Sequence, residues 1–219
     1  MVIYFGTGRL YSSGDVVDLG TQTVYGIWDK KANGGSSIAF TGRSALESRS
    51  ILFENKAFSR DVRVLDAPAN GLDWTTKRGW YLDLTSPTQG GQGERMIFSP
   101  RILLNRLVIE TAIPSSDPCQ AGGSGWTMVL DMATGGRLNY VLLDLNKDGK
   151  FTEADMVDVD GQKLPPSGIG SSGSIPTGSF DLIDPQKYWL CRGTGMDDCI
   201  PAANTLDVLE GRQSWNQIR

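Results

Sequence analysis

The β-branched and aromatic runs in this 219-residue chain are all short, punctuated by glycine, proline and asparagine. That limits the fold more than any other feature. Helices need longer unbroken stretches, whereas short runs between turn residues build hairpins. Met1–Phe5, Thr23–Trp28, Trp80–Leu84, Arg95–Phe98 and Ile102–Thr111 (with a turn at Asn105-Arg106) read as strands. So do Trp126–Asp131, Leu138–Leu143, Tyr188–Cys191 and Arg212–Trp215. The pattern predicts an all-β fold: a sandwich, a barrel or a propeller. WTMVLDMATGGRL has the strand, Thr-Gly-Gly turn, strand shape of a propeller blade, although no clean internal period recurs. Ser44–Ala57 carries good helix formers and is the place for one short helix, or else a long excursion between strands. Leu164–Ser179, rich in Gly, Ser and Pro, reads as a mobile loop that adds little to the core.

Several function classes are excluded at this level. The chain has no histidine, so it holds no Ser-His-Asp triad, no Cys-His dyad and no His-ligated zinc. Net charge is −4 with Arg and Lys scattered, which disfavours nucleic acid, since phosphate neutralisation needs clustered positive charge. No apolar run approaches the roughly 18–20 residues of a spanning helix. Met1–Phe5 is too short and uncharged for a signal peptide and runs straight into strand-like sequence, so a longer parent chain is expected. Cys191 and Cys199 flank the short loop CRGTGMDDC, a spacing that suits a disulfide in an oxidising compartment; three ordinary thiols, with Cys119, are the alternative.

The segment DLNKDGKFTEAD, Asp144 to Asp155, matches the EF-hand type of calcium loop. Asp144, Asn146 and Asp148 fall at positions one, three and five, and Gly149 at six, where the chain turns sharply. Lys150 offers its backbone carbonyl at seven, Phe151 is the apolar anchor at eight, Thr152 stands at nine, and Asp155 closes the loop at twelve. Calcium takes six to eight oxygen ligands, and alternate residues of a curling loop point inward. Three carboxylates at this spacing repel one another until a cation joins them. One ion is expected, held by Asp144, Asn146, Asp148, Lys150 and Asp155. Asp155 stands where Glu is usual and is shorter by a methylene. The run before the loop reads as a strand rather than a helix, so the loop is expected on a β scaffold.

Several stretches in order resemble one family. They are YFGTGR at Tyr4–Arg9, YGIWD at Tyr25–Asp29, GWYLDL at Gly79–Leu84, GER at Gly93–Arg95 and PCQAGGSGW at Pro118–Trp126. LDMATGGR at Leu130–Arg137, the DLNKDGKF loop and SWNQI at Ser214–Ile218 complete the set. Together they look like the C-terminal propeller region of the PilC/PilY-type adhesins of bacterial type IV pili. The resemblance implies a β-propeller, or the C-terminal part of one, spanning 1–219 with the calcium loop at 144–155 inserted. It implies an exported, non-enzymatic protein of the periplasm, outer membrane or pilus tip. Calcium would govern pilus extension and retraction. Minor pilins would be the partners, and a host or surface ligand would engage an N-terminal region outside this sequence.

Two other classes compete. Quinoprotein-type propeller dehydrogenases carry similar strand-Asp-TG turns beside a structural calcium, but a complete, closed loop leaves little coordination for a cofactor. Dockerin-like modules accept Asp at position twelve but use paired loops in a helical unit. Gly6-Thr7-Gly8 reads as a tight turn, since the third glycine of a dinucleotide fingerprint is missing. The tryptophans read as core anchors, and Asp158 and Asp160 as a solvated turn, with an extra oxygen ligand for the ion as the alternative.

Overall fold

The computed structural model describes residues 1–30, 41–68, 71–115, 123–171, 180–184, 187–191 and 199–203. Strands β1 (Val2–Gly6), β2 (Thr23–Trp28), β3 (Glu47–Arg49) and β6 (Gly79–Asp83) form a four-stranded sheet in the order β1-β2-β6-β3. β4 (Ile51–Ala57), β5 (Arg60–Leu65), β7 (Arg101–Leu103), β8 (Arg106–Ile113), β9 (Ser124–Asp131) and β12 (Gly168–Ser171) form a six-stranded sheet, β4-β5-β12-β9-β8-β7. β10 (Val157–Val159) and β11 (Gln162–Leu164) make a hairpin, and β13 (Phe180–Asp184), β14 (Lys187–Cys191) and β15 (Cys199–Ala203) a further sheet. In that last sheet Cys191 lies directly opposite Cys199. α1 (Ser13–Val17) is a short helix between β1 and β2.

Alternation along the strands sets the layering. Leu107 and Ile109 of β8, Trp126, Met128 and Leu130 of β9, and Leu65 of β5 face the four-stranded sheet. They pack there with Val24, Trp80 and Leu82. Their neighbours Val108, Val129, Val62, Val64 and Ile169 face the other way, against Leu138, Leu142, Leu143, Leu145, Val157 and Val159. The six-stranded sheet is therefore buried on both faces, and the segment around the acidic loop is the cover of one of them. Among the described residues, no helix is long and apolar enough to cross a membrane.

Trp80 shows how local sequence fixes this packing. Its indole is fully buried, and a Cβ on Gly26 would lie 2.5 Å from its Cε2 and one on Gly135 2.1 Å from its Cδ2. The Thr-Gly-Gly turn after β9 thus packs onto the ring. The indole N–H donates to the Met132 carbonyl at 3.3 Å, which also accepts from the Tyr4 hydroxyl at 2.9 Å.

A charged cluster lies in the same layer. The Arg63 guanidinium, with no exposed surface, donates to Glu54 at 2.6 and 3.1 Å and to Glu94 at 2.8 and 2.9 Å. It also lies 4.0 Å from the Trp126 ring centroid. The Ser86 hydroxyl donates to Glu54 at 2.8 Å and the Thr111 hydroxyl to Glu94 at 2.6 Å. Burying charge is tolerable only with this degree of pairing.

Several expectations need correction. Ser44–Ala57 is not a helix. It holds a 3-10 turn at Arg43–Ala45, then β3 and β4, because Ile51 and Glu54 are buried against β5. Leu164–Ser179 is not a coreless loop where it is described: β12 is a central strand with Ile169 fully buried. Residues 172–179 lie outside the described residues, as does the expected strand Arg212–Trp215. Arg95–Phe98 forms only a bridge, Arg95 opposite Ala112. The buried Arg95 side chain instead donates to the carbonyls of Gly93, Arg9 and Asp18 at 2.7, 2.7 and 2.6 Å, closing the neck of the α1 loop. Within that loop Asp15 accepts from the N–H groups of Tyr11 and Ser12 and from Arg9. These bonds hold its carboxyl well below the usual range, the Tyr11 N–H contributing most.

Candidate metal centre

The expected strand Leu138–Leu143 is irregular backbone, yet Leu138, Val141, Leu142 and Leu143 are buried. Hydrophobicity fixed their burial without fixing their dihedrals, and the buried Arg106 holds the segment by donating to the Tyr140 hydroxyl at 2.7 Å. The acidic loop therefore leaves an irregular, anchored segment rather than a strand. Its exit is equally fixed. Glu153–Asp155 forms a 3-10 turn capped by Thr152, and the chain continues into the β10–β11 hairpin. That hairpin turns at Asp160 (φ 51°) and Gly161 (φ 82°), with Asp158 accepting the Gly161 N–H at 2.9 Å, the turn expected there.

Between these anchors the loop curls as its spacing predicts. Gly149 has φ 80°, the left-handed region that glycine occupies without cost, and Lys147 has φ 62°. Asp144 is buried, its two oxygens accepting from the N–H groups of Asp148 at 3.1 Å and Gly149 at 2.9 Å. Asp155 is also buried and ties both halves together, accepting from the N–H groups of Asn146 at 3.1 Å and Thr152 at 3.2 Å. The exposed Asn146 and Asp148 join side chain to side chain at 3.2 Å, and Asp148 accepts from the Lys150 N–H at 2.8 Å. Phe151 packs on the apolar layer with Leu143, Leu145, Val157 and Val159.

All five expected residues thus belong to one hydrogen-bonded loop. Among the described residues no Lys or Arg forms an ion pair with Asp144, Asp148 or Asp155. Nor do any three His, Cys, Asp or Glu side chains gather closely enough to hold an ion by themselves. The loop is a frame of mixed donors, carboxylates with the Asn146 amide oxygen and the Lys150 carbonyl. Such an all-oxygen set suits a hard cation. Asp144 and Asp155 are buried, met by backbone N–H groups and by no cationic side chain. The residues therefore fit calcium by donor chemistry.

No family model matches. The chain is 35% identical over its whole length to a type IV pilus biogenesis factor PilY1 homolog of Xylella fastidiosa, covering 16% of that protein. It is 28% identical over 99% of its length to the type IV pilus biogenesis factor PilY1 of Pseudomonas aeruginosa strain PAO1, covering 19% of it. The chain thus spans less than a fifth of these relatives. Its fold matches the crystal structure of the Pseudomonas aeruginosa PilY1 C-terminal domain with a TM-score of 0.75 at 24% identity, over 92% of this chain and 41% of that one. The fold is accordingly all-β and of β-propeller type, with one short helix among the described residues.

Proposed function

Because this chain is related along its whole length to PilY1-type pilus biogenesis factors, we propose that 1–219 is a calcium-binding β-propeller domain of such an exported, non-enzymatic factor. The observation that carries the calcium reading is the pair of buried carboxylates, Asp144 and Asp155, without a cationic partner. Bound calcium supplies the positive charge that Asp144, Asp148 and Asp155 share. Asp155 links the loop's two halves, so its position governs how firmly the chain enters the β10–β11 hairpin. Leu143, Leu145, Val157 and Val159 carry that constraint into the cover of the six-stranded sheet. Occupied and empty loops would therefore differ in how well one face of the domain is held, a local switch with a wider readout. In the pilus, that switch would set extension against retraction through contact with minor pilins. Adhesion to a host or surface ligand would rest on a region outside this chain.

Titration calorimetry and thermal melts with calcium and with chelator test the site. One saturable event is expected. At calcium a hundredfold above Kd, the stabilisation would be about 2.7 kcal/mol. Asp148→Ala, at an exposed position, should keep the fold and lose both signals. Absence of calcium heat together with an unchanged melt in the parent protein would sink the proposal. Pilus retraction in cells carrying Asp148→Ala tests the biological half separately.

A further inference from the structure

A cavity of about 530 Å³ opens at one end of the six-stranded sheet, lined by no residue of the acidic loop. Its volume lies within the range of small-molecule sites. Glu54 and Trp126 line it, and both belong to the Arg63 cluster. Asp61 and Lys56 stand beside them as register partners on β5 and β4. Gln89 and Gln92 complete a polar rim. Gly170 keeps the wall open, since a Cβ there would lie 2.8 Å from the Asp61 Cβ and 3.2 Å from the Trp126 ring.

The charge at this place does not balance. Glu54 and Glu94 share the single Arg63 guanidinium, so the buried cluster carries a net negative charge. Among the described residues neither Asp61 nor Lys56 forms an ion pair. The lining therefore totals two carboxylates against one ammonium, in front of a floor whose guanidinium is fully engaged. A low-dielectric wall strengthens the field of such a group and draws positive charge to the opening.

We propose that this cavity binds a primary ammonium or guanidinium group, the head of a Lys or Arg side chain or of a small free amine. Asp61 faces the cation from the wall. Glu54 holds the negative field in place from the floor, and the Gln89 and Gln92 amides accept its remaining N–H bonds. Lys56 competes for the same carboxylate.

The test uses the full chain with calcium present and amide-resolved NMR. The probes are N-acetyl-arginine amide and N-acetyl-lysine amide for the peptide source, n-butylamine for the free-amine source, and neutral N-acetyl-glutamine amide as control. Saturable shifts at Asn55, Asp61 and Gly170 with the cationic probes are expected, and none with the neutral one. Tighter binding of the capped amino acids than of butylamine assigns the peptide source, and the reverse order the free amine. Asp61→Asn should weaken binding about two- to fivefold, the range of a partly solvated ion pair, and Lys56→Gln should tighten it by a similar factor. Opposite signs from neighbouring residues are not produced by a structural role. No saturable shift, an equal response to the neutral amide, or indifference to Asp61→Asn would overturn the assignment. Calcium calorimetry on the same samples keeps this result separate from the fate of the acidic loop.

Discussion

Replacing Arg63 by methionine keeps the apolar stem of the side chain and removes its guanidinium head. Two carboxylates then stand without a cation, Glu54 at 9% and Glu94 at 1% exposure. Breaking a buried ion pair from one side costs about 3–5 kcal/mol. The lost contact with Trp126, at 4.0 Å from the ring centroid, adds about 0.5–2 kcal/mol. Shared hydroxyl bonds from Ser86 and Thr111 remain and soften the effect, so a loss of about 4 kcal/mol at pH 7.5 is expected. The loss should depend on pH. Buried acids without a cation have folded pKa values above the roughly 4.3 of the unfolded chain. The folded variant then binds more protons than the unfolded one, and its stability falls as pH rises through that window. Urea denaturation at pH 4.5 and 7.5, on variant and parent together, reads both effects. At pH 4.5 the deficit should shrink by at least about half, because protonation removes the uncompensated charge. Adding Glu54→Gln and Glu94→Gln to Arg63→Met should recover most of the loss at pH 7.5. A deficit below about 1 kcal/mol, or one equal at both pH values, would refute the electrostatic account of this cluster.

Other substitutions address other parts of the molecule. Burial raises the pKa of Glu110 above the carboxylate norm despite its 3.1 Å bond from Arg101, and its second oxygen has no partner. Its folded pKa exceeds the unfolded one, so it costs stability as pH rises through that interval; Glu110→Gln should gain on the parent from pH 4 to pH 7 in denaturation curves. Gly26→Ala places a methyl 2.5 Å from Trp80 and should cost about 1–3 kcal/mol by thermal melt. Gly135→Ala should cost more, since φ is 72° as well as the ring being 2.1 Å away. Tyr140→Phe removes the acceptor at 2.7 Å of the buried Arg106 and should lower stability by about 1–2 kcal/mol in the same assay.

The sharp turn at Gly149 and seven of the fifteen described strands, β1, β2, β6, β7, β8, β9 and β14, were legible in the sequence because each carries a local signal, a glycine at the turn in one case and β-branched or aromatic runs in the other. β5 was missed because RDVRVL interrupts its apolar alternation with Arg63, whose burial depends on Glu94, distant in sequence. β4 was read as part of a short helix or of a long excursion between strands because SALESRSILFENKA has helical propensity, which pairing with that unrecognised strand overrides. β12 looked like a loop because GIGS has few side chains. The glycines are there for space: a Cβ on Gly168 would meet Met128 at 2.6 Å, and one on Gly170 would meet Asp61 at 2.8 Å. Leu138–Leu143 failed in the opposite sense, since its apolar composition marks burial and not backbone geometry. The amine cavity had no motif at all, because its lining comes from six separate stretches of chain.

The ring of Trp80, pressed on one side by Gly26, also constrains the order in which this sequence can change. A side chain at position 26 becomes sterically admissible once position 80 has become smaller. Position 80 can shrink first and leave a void, a loss that a later gain at position 26 partly refills. The reverse order passes through a clash in the core, with the new Cβ 2.5 Å from the Trp80 ring. Drift between homologous chains at these two sites should therefore be directional, with the tryptophan yielding before the glycine does.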